Sequence, residues 1–452
     1  MGNLLNLSTN FIDFTVESIG AGGLNWLAKI IQGLISGVGI IGVGIILFTI
    51  ILKTIVLPLD IYSRYKMKKQ SLLMKAMRPD MEKLQKQYAN DKQMYNQKVM
   101  ELQKANGISV FGACLPMIVS LVIFMFVFSA FSSYSQYANL DTFVKMGKEY
   151  NDSVSTYVLC DYDDYSEDME GDGFLIKTID KSINAEAYLV DFERFEKAVF
   201  RADGKIDDQM FGEITDERYK EFICDENAEF KDLTKEKYEQ FNENQKMFVV
   251  RELVREKARK ASADYYRKHT TGFLWVKNIW YPDSPLNKEV PNFSNFSSSV
   301  TRVSGKLSQN SYDEVTYYLR HSGYIDGNNN GGKLEGKQLN GYFVLILLAI
   351  GLMFLQQFIS MRSQKDANEL STVDGSGART NKWMLIMMPL IYGIFSFFYS
   401  AAFSIYMITN TIYSLIMTVV LNKIMDVRFA KKLESGELFK KKKTINNRKR
   451  LK

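Results

Sequence analysis

The chain has 452 residues, 46 % of them hydrophobic and 24 % charged, with a net charge of +6 and a mean hydropathy of −0.15. Its apolar residues are segregated into long runs. That pattern excludes a purely soluble fold, a disordered chain, a collagen-like repeat and a disulfide-dense scaffold.

Residues 1–37 read as an outer N-terminal segment. Residues 1–20 lack a basic start, no arginine occurs, and no lipid-accepting cysteine precedes the first apolar run, so no signal or transit peptide is expected. Leu27, Ile30, Ile31, Leu34 and Ile35 recur at helical spacing opposite Lys29 and Gln32, with Trp26 at the start. This spacing predicts an interfacial helix, bent away from the first span at Gly37 and Gly39, or else an N-terminal extension of that span. Residues 38–59 carry one charge, Lys53. About 20 helical residues cross the roughly 30 Å apolar core of a bilayer, so this is a transmembrane helix. Residues 60–107 are polar, with one apolar stripe at Met77, Met81, Leu84 and Tyr88 and another at Tyr95, Val99 and Leu102. Asn90 and Asp91 between them predict the turn and cap of an antiparallel helical hairpin.

Residues 108–138 hold a second span, uncharged from Phe111 to Phe131. Residues 139–272 read as a soluble, mainly helical insertion, with a helix through Val250, Val254, Ala258, Ala261 and Tyr265. Its acidic cluster from Asp161 to Asp172 fails the calcium-loop pattern at the sixth and twelfth positions, Ser166 and Asp172, and reads as a solvated loop. Cys160 and Cys224 allow one disulfide or two thiols. Residues 273–340 read as an interfacial segment and linker, Asn/Gly/Ser-rich from 284 and ending in Gly327–Gly332. Residues 341–359 are an uncharged third span, and 360–382 a connecting loop. Residues 383–421 are 39 uncharged residues, near twice the length of a span, and must fold back as a two-helix hairpin. Residues 422–452 form a basic tail.

Charge orients these spans. Residues 60–107 carry 11 basic and 5 acidic residues, 422–452 carry 12 and 3, and 362–382 carry 4 and 3, whereas 139–272 carry 21 and 32. Basic loops stay cytoplasmic. Five spans with the N-terminus outside and the C-terminus inside put all three basic segments on one side and the acidic insertion on the other. The expected location is a bacterial plasma membrane.

Lys53 is the chemical anomaly. A cation among apolar residues is costly and marks a functional site, unless it snorkels to the inner interface seven residues away at Asp60. Thr49 lies one turn from it on the same face. Gln356 and Gln357 lie near the inner end of the third span, and Tyr406, Thr409 and Asn410 on the last. Together these polar groups can line one wetted cavity, though each alone is more often a helix–helix hydrogen bond. No catalytic, nucleotide or metal motif occurs, and the two histidines, His269 and His321, are far apart. No catalytic residue, metal or cofactor is expected, and the lack of intramembrane carboxylates and of a repeat argues against a proton-coupled transporter.

Six segments, GIILFTIILKTIVLPLD (44–60), MRPDMEKLQKQYANDKQ (77–93), GISVFGACLPMIVSLVIF (107–124), FLWVKNIWYPD (273–283), FLQQ (354–357) and MMPLIYGIFSFFYSAAFSIYMITNTIYSLI (387–416), resemble the YidC/Oxa/Alb family of membrane protein insertases. The resemblance implies an all-α polytopic fold: five transmembrane helices around a hydrophilic groove that is open to cytoplasm and lipid and closed outside. It places the family's intramembrane cation, usually arginine, at Lys53, and groove positions at Thr49, Gln356 or Gln357, and Asn410. The chain departs from the pattern with lysine as the cation, with Met407 after Tyr406, near Ser400 and Ala402 where proline and glycine are common, and in the 139–272 insertion. The implied function is insertion of nascent membrane proteins without chemistry, in the lipid bilayer, with dependence on the Sec translocon left open. The basic tail offers a phosphate contact for the ribosome; a topology signal and anionic-lipid contact is the equal alternative. A membrane-anchored receptor acting through its outer domain is the second reading.

Overall fold

The computed structural model describes residues 24–106, 110–155, 158–161, 173–176, 188–191, 199–206, 216–269, 271–301, 307–321, 339–363 and 376–434, with the backbone alone at 110–121, 154–191, 216–218, 376–382 and scattered positions elsewhere. The acidic run 162–172, the Gly327–Gly332 connector, the tail beyond 434 and the side chains of Cys114 and Cys160 lie outside the described residues. The chain divides into two compact units, residues 24–135, 271–287 and 339–452 in one and 136–270 with 288–338 in the other.

The first unit is helical. Helix α1 (Trp26–Val38) is capped by the Asn25 side chain, which accepts from Ala28 N at 2.8 Å. It turns Leu27, Ala28, Ile31 and Ile35 inward against the next helix and leaves Trp26 and Ile30 exposed. Helix α2 (Ile41–Gln87) runs 47 residues without a break, about 70 Å, so it extends well past one bilayer core. Asp91 then caps α3 (Lys92–Ala105), accepting from Met94 N at 3.0 Å, and α3 folds back on the end of α2 with Met77, Met81 and Val99 buried. Helix α4 (Val110–Ser155) contributes residues up to Ser135 to this unit.

Among the described residues, three helices are long and apolar enough to cross a membrane: Ile41–Gln87, Val344–Arg362 and Ala401–Lys431. The other two expected spans are also helical. Residues 111–131 lie in α4, and the uncharged run beginning at Trp383 is broken at Tyr399 and Ser400, where the final hairpin turns.

The second unit is built on the later half of α4 and on the helix Glu243–Lys268. Strands β1 (Val158–Asp161), β2 (Gly173–Ile176) and β3 (Tyr188–Asp191) form an antiparallel sheet in the order β1-β3-β2. The chain is mainly helical as expected; this sheet is an addition the helical periodicities did not signal, made of β-branched and aromatic stretches too short to carry a period. Helices α5 (Asp216–Ile223), α6 (Lys235–Glu239), α7 (Glu243–Lys268), α8 (Phe293–Ser299), α9 (Gln309–Val315) and α10 (Tyr317–His321) come next in the chain. Phe143, Met146 and Tyr150 of α4 share a core with Phe248, Leu253 and Ala258 of α7 and with Phe296, Tyr312 and Tyr318. Buried ion pairs cross it. Glu314 accepts from Arg255 Nε at 3.1 Å and from Arg259 Nε at 2.8 Å, Arg259 Nη1 donates to Glu256 at 2.6 Å, and the Tyr318 hydroxyl donates to Glu256. Burial alone would push Glu314 up, but the hydrogen bonds and charges of the two arginines outweigh it and hold its carboxyl at about 2. The exposed Cys224 thiol donates to the Glu221 carbonyl at 3.8 Å.

The first unit is completed by α11 (Val344–Ser363), α12 (Ser376–Phe398) and α13 (Ala401–Glu434). Helix α13 packs against both α2 and α11, and α11 packs against α12. Aromatic rings knit them together. Phe131 of α4 meets Phe48 of α2 at 6.0 Å and Tyr406 of α13 at 5.5 Å, and Phe128 meets Tyr399 at 4.4 Å.

Candidate functional site

The helix ends are gathered by residues 271–287. Phe273 N and O each hydrogen-bond Val276, at 2.9 and 3.1 Å, and close a tight turn. Beyond it, the buried Asn278 side chain accepts from Trp280 N at 3.0 Å and Thr271 Oγ1 at 3.1 Å. Its backbone pairs with the Asn340 side chain in both directions, each bond 2.8 Å long. Asn340 Nδ2 also donates to the Pro282 carbonyl at 2.9 Å. Asp283 is 0 % exposed. One carboxylate oxygen accepts from Tyr342 N at 2.8 Å and the other from Leu345 N at 2.6 Å and Trp275 Nε1 at 3.3 Å, while its carbonyl accepts from Phe343 N at 3.1 Å. The first amides of a helix have no partner within it, so Asp283 caps α11 from about 60 residues away in sequence. Residue 341 must be glycine, because a Cβ there would fall 1.8 Å from Asp283 Oδ1.

The same segment holds the other helices. Ser135 Oγ donates to the Trp280 carbonyl at 3.2 Å, and Tyr134 packs edge-on to the Trp280 ring at 5.0 Å. Ala401 N and Ala402 N donate to the carbonyls of Tyr281 and Ile279, both at 2.9 Å. The Phe273 ring lies against Gly42, where a Cβ would sit 2.2 Å from it. The beginnings of α2, α11 and α13, α4 at residues 134–135, and by its short turn the end of α12, therefore meet at one clasp. In chain order the five helices run away from it, toward it, away, toward and away.

Lys53 lies 12 residues into α2, about 18 Å from that end. It is half-buried, and Asp60 and Arg64, on the same helical face, are charges whose fields reach it. Further along, Arg64 Nη2 donates to Thr418 Oγ1 at 2.8 Å, Lys68 pairs with Asp426 at 2.6 Å, and Tyr65 stacks on Phe429 at 5.1 Å. Helices α2 and α13 thus run side by side in parallel.

The structure puts the expected polar residues on three helices that pack through α13. Thr49 is 0 % exposed and donates to its own Ile45 carbonyl at 2.7 Å. Gln356 and Gln357 on α11 are half-buried. Tyr406 is buried beside Phe131 and Phe403. Thr409 and Asn410 are half-buried, and Thr409 returns its hydroxyl to the Ile405 carbonyl at 2.9 Å. Sequence reasoning missed a hydroxyl seam on α13. Ser404, Thr411 and Thr418 recur at seven-residue intervals, all buried, and the first two hydroxyls have no hydrogen-bond partner among the described residues. A seven-residue count of small hydroxyls inside an uncharged run was the available signal. It also missed Asn278, Asp283 and Asn340, which a linker reading of 273–340 concealed.

The model of the 60Kd inner membrane protein family matches residues 33–160 and 260–429, the blocks that build the helical bundle. The chain belongs to this family, the YidC/Oxa1 family. It is a membrane-embedded protein. Similar proteins include one called "Membrane protein insertase YidC" from Fusobacterium nucleatum, 40 % identical over 77 residues, which are 17 % of this chain and 36 % of that protein. Another of that name from Caldanaerobacter subterraneus is 35 % identical over 82 residues, 18 % of this chain and 38 % of the relative. A third, from Leptospira interrogans, is 39 % identical over 59 residues, 13 % and 9 % of the two chains. The chain thus covers little more than a third of these curated relatives at most. No solved structure matches it. The family model passes over residues 161–259, so the matches lend nothing to a receptor acting through that insertion.

Proposed function

We propose that this chain inserts nascent membrane proteins into a bacterial plasma membrane and does so without catalysis. The relatives' printed name, "Membrane protein insertase YidC", and membership of the 60Kd inner membrane protein family support that reading. In it the five helices alternate across the bilayer, with the clasp and the 139–272 insertion outside and the N-terminus outside. The α2–α3 hairpin and the basic tail lie in the cytoplasm.

The observation that carries the mechanism is Lys53, half-buried in the apolar part of α2, a helix that packs on α13, with the neighbouring Thr54 hydroxyl 3.5 Å from that of Tyr413. A nascent segment brings hydrophilic groups that cannot enter hydrocarbon alone. A wet groove between α2, α11 and α13 shortens the apolar distance they cross. Lys53 attracts acidic groups there, in a medium less polar than water. The substrate helix then leaves sideways into lipid, and burial of its apolar surface completes the step. The hairpin receives the incoming chain, the basic tail meets the ribosome, and the Sec translocon is a further candidate partner.

Charge substitution at Lys53 tests this. Lys53→Arg preserves insertion of substrates with acidic outer segments, Lys53→Ala impairs it, and Lys53→Glu impairs it further through repulsion. Substrates lacking acidic residues respond less. The assay is protease protection of reporter substrates in cells depleted of their own insertase, at matched abundance. Equal insertion by Lys53→Glu and the parent leaves Lys53 as an anchor that snorkels to the interface and removes the electrostatic mechanism.

A further inference from the structure

The tip of the clasp carries a residue that its backbone disfavours. Leu274 has φ of 57° and is 67 % exposed. In that left-handed region the Cβ of a bulky L-residue crowds the backbone, and glycine or asparagine is the usual occupant. Within the chain, an exposed leucine gains little packing to offset the strain. Strain retained at a loop tip is a sign that the side chain serves something outside the fold.

The surroundings say what that is. Phe273, the residue before, lies on Gly42 in the first turn of α2, next to the exposed Ile40. At the other helix ends gathered by the clasp, Tyr342 and Val344 at the start of α11 and Phe398 at the end of α12 are exposed as well. Large apolar side chains at one level around the ends of membrane helices form an interfacial belt. A rim of this kind in water would be an aggregation liability. We propose that Leu274 is a lipid anchor, immersed in the outer leaflet just beneath the headgroups, and that it fixes the depth of the clasp in the bilayer. The inference rests on the outward placement of the clasp in the proposed function.

The test uses the full chain with Cys114, Cys160 and Cys224 replaced by serine. Leu274→Cys carries an environment-sensitive fluorophore, with Asp203→Cys in the second unit and Lys98→Cys on α3 as controls. The protein is reconstituted in phosphatidylcholine–phosphatidylglycerol vesicles. Expected is severalfold stronger quenching at position 274 than at 203 by lipid bearing a shallow doxyl group, and little quenching by external iodide. Iodide quenching at 274 equal to that at 203, or no quenching by either agent, overturns the proposal. Iodide quenching at 98 in right-side-out vesicles would instead overturn the topology, and insertion activity is not needed for either reading. Leu274→Gly and Leu274→Asn separate a lipid role from a packing role. Both relieve the backbone strain, so their melting temperatures in detergent equal or exceed the parent's. A lower melting temperature for both means that Leu274 packs within the protein, which also overturns the proposal.

Discussion

Replacing Asp283 by alanine removes the cap on α11 while leaving the clasp's apolar contacts in place. The carboxylate accepts three hydrogen bonds, from Tyr342 N, Leu345 N and Trp275 Nε1, and is itself fully buried. A hydrogen bond to a charged group contributes about 1.5–3 kcal/mol, and a buried donor left without a partner costs about 1–3 kcal/mol. The Leu345 amide is in the interior and takes the full penalty, whereas the other two sites are partly buried and regain some hydration. The sum is about 3–5 kcal/mol for Asp283→Ala. Asp283→Asn keeps one acceptor oxygen and opposes a donor to the remaining amide, so its cost is about half. In detergent, at one fixed scan rate because unfolding of such a protein is kinetic, the alanine variant melts roughly 10 °C below the parent and the asparagine variant falls between. Hydrogen exchange at Tyr342 and Leu345 rises in the same order. An alanine variant that melts with the parent refutes the idea that this cap holds the end of α11. So does an asparagine variant that falls as far as alanine.

Other substitutions test the same geometry. Gly42→Ala drives a methyl into the Phe273 ring and costs about 1–3 kcal/mol, read as a lower melting temperature; Phe273→Ala in the same chain recovers part of the loss, because the clash needs both. In the second unit, Glu314 has a folded carboxyl pKa of about 2 against an ordinary value of 4.5. Its stabilisation, up to about 3 kcal/mol, is therefore present above pH 4.5 and is lost as the pH falls toward 2. Glu256 shifts the other way, raised by burial despite Arg259, and loses stability as pH rises through its own titration. Glu314→Gln destabilises the second unit at neutral pH and flattens the acid limb of its unfolding curve, followed by limited proteolysis across pH; an unchanged acid limb assigns the loss to another group.

Much of the bundle is legible in the sequence because long uncharged runs have few physical outlets. Thirty-nine uncharged residues from Trp383 can only turn back within a bilayer, and the break falls at Tyr399 and Ser400. The hairpin after α2 is foretold by two apolar stripes and a capping Asp91, all local signals. Asp283 was illegible for the opposite reason. Its partners, Tyr342 and Leu345, lie about 60 residues away, and a helix capped from elsewhere leaves no cap residue at its own N-terminus. Thr49 shows the limit of face-sharing arguments. It lies one turn from Lys53, yet its hydroxyl is turned back to Ile45 and is fully buried, while Lys53 is only half-buried. A helical face tells which residues lie on one side, but the neighbouring helix decides which of them meet water. Here that neighbour is α13, whose seam of Ser404 and Thr411 carries no charge and therefore leaves no mark on a hydropathy pattern. The polar side chains of these helices thus comprise one conspicuous cation and several small hydroxyls, of which Ser404 and Thr411 are fully buried. Lys53 stood out by the cost of a charge in an apolar run and Thr49, Gln356, Gln357, Thr409 and Asn410 as polar groups there, whereas Ser404 and Thr411 emerged only when the helices were brought together.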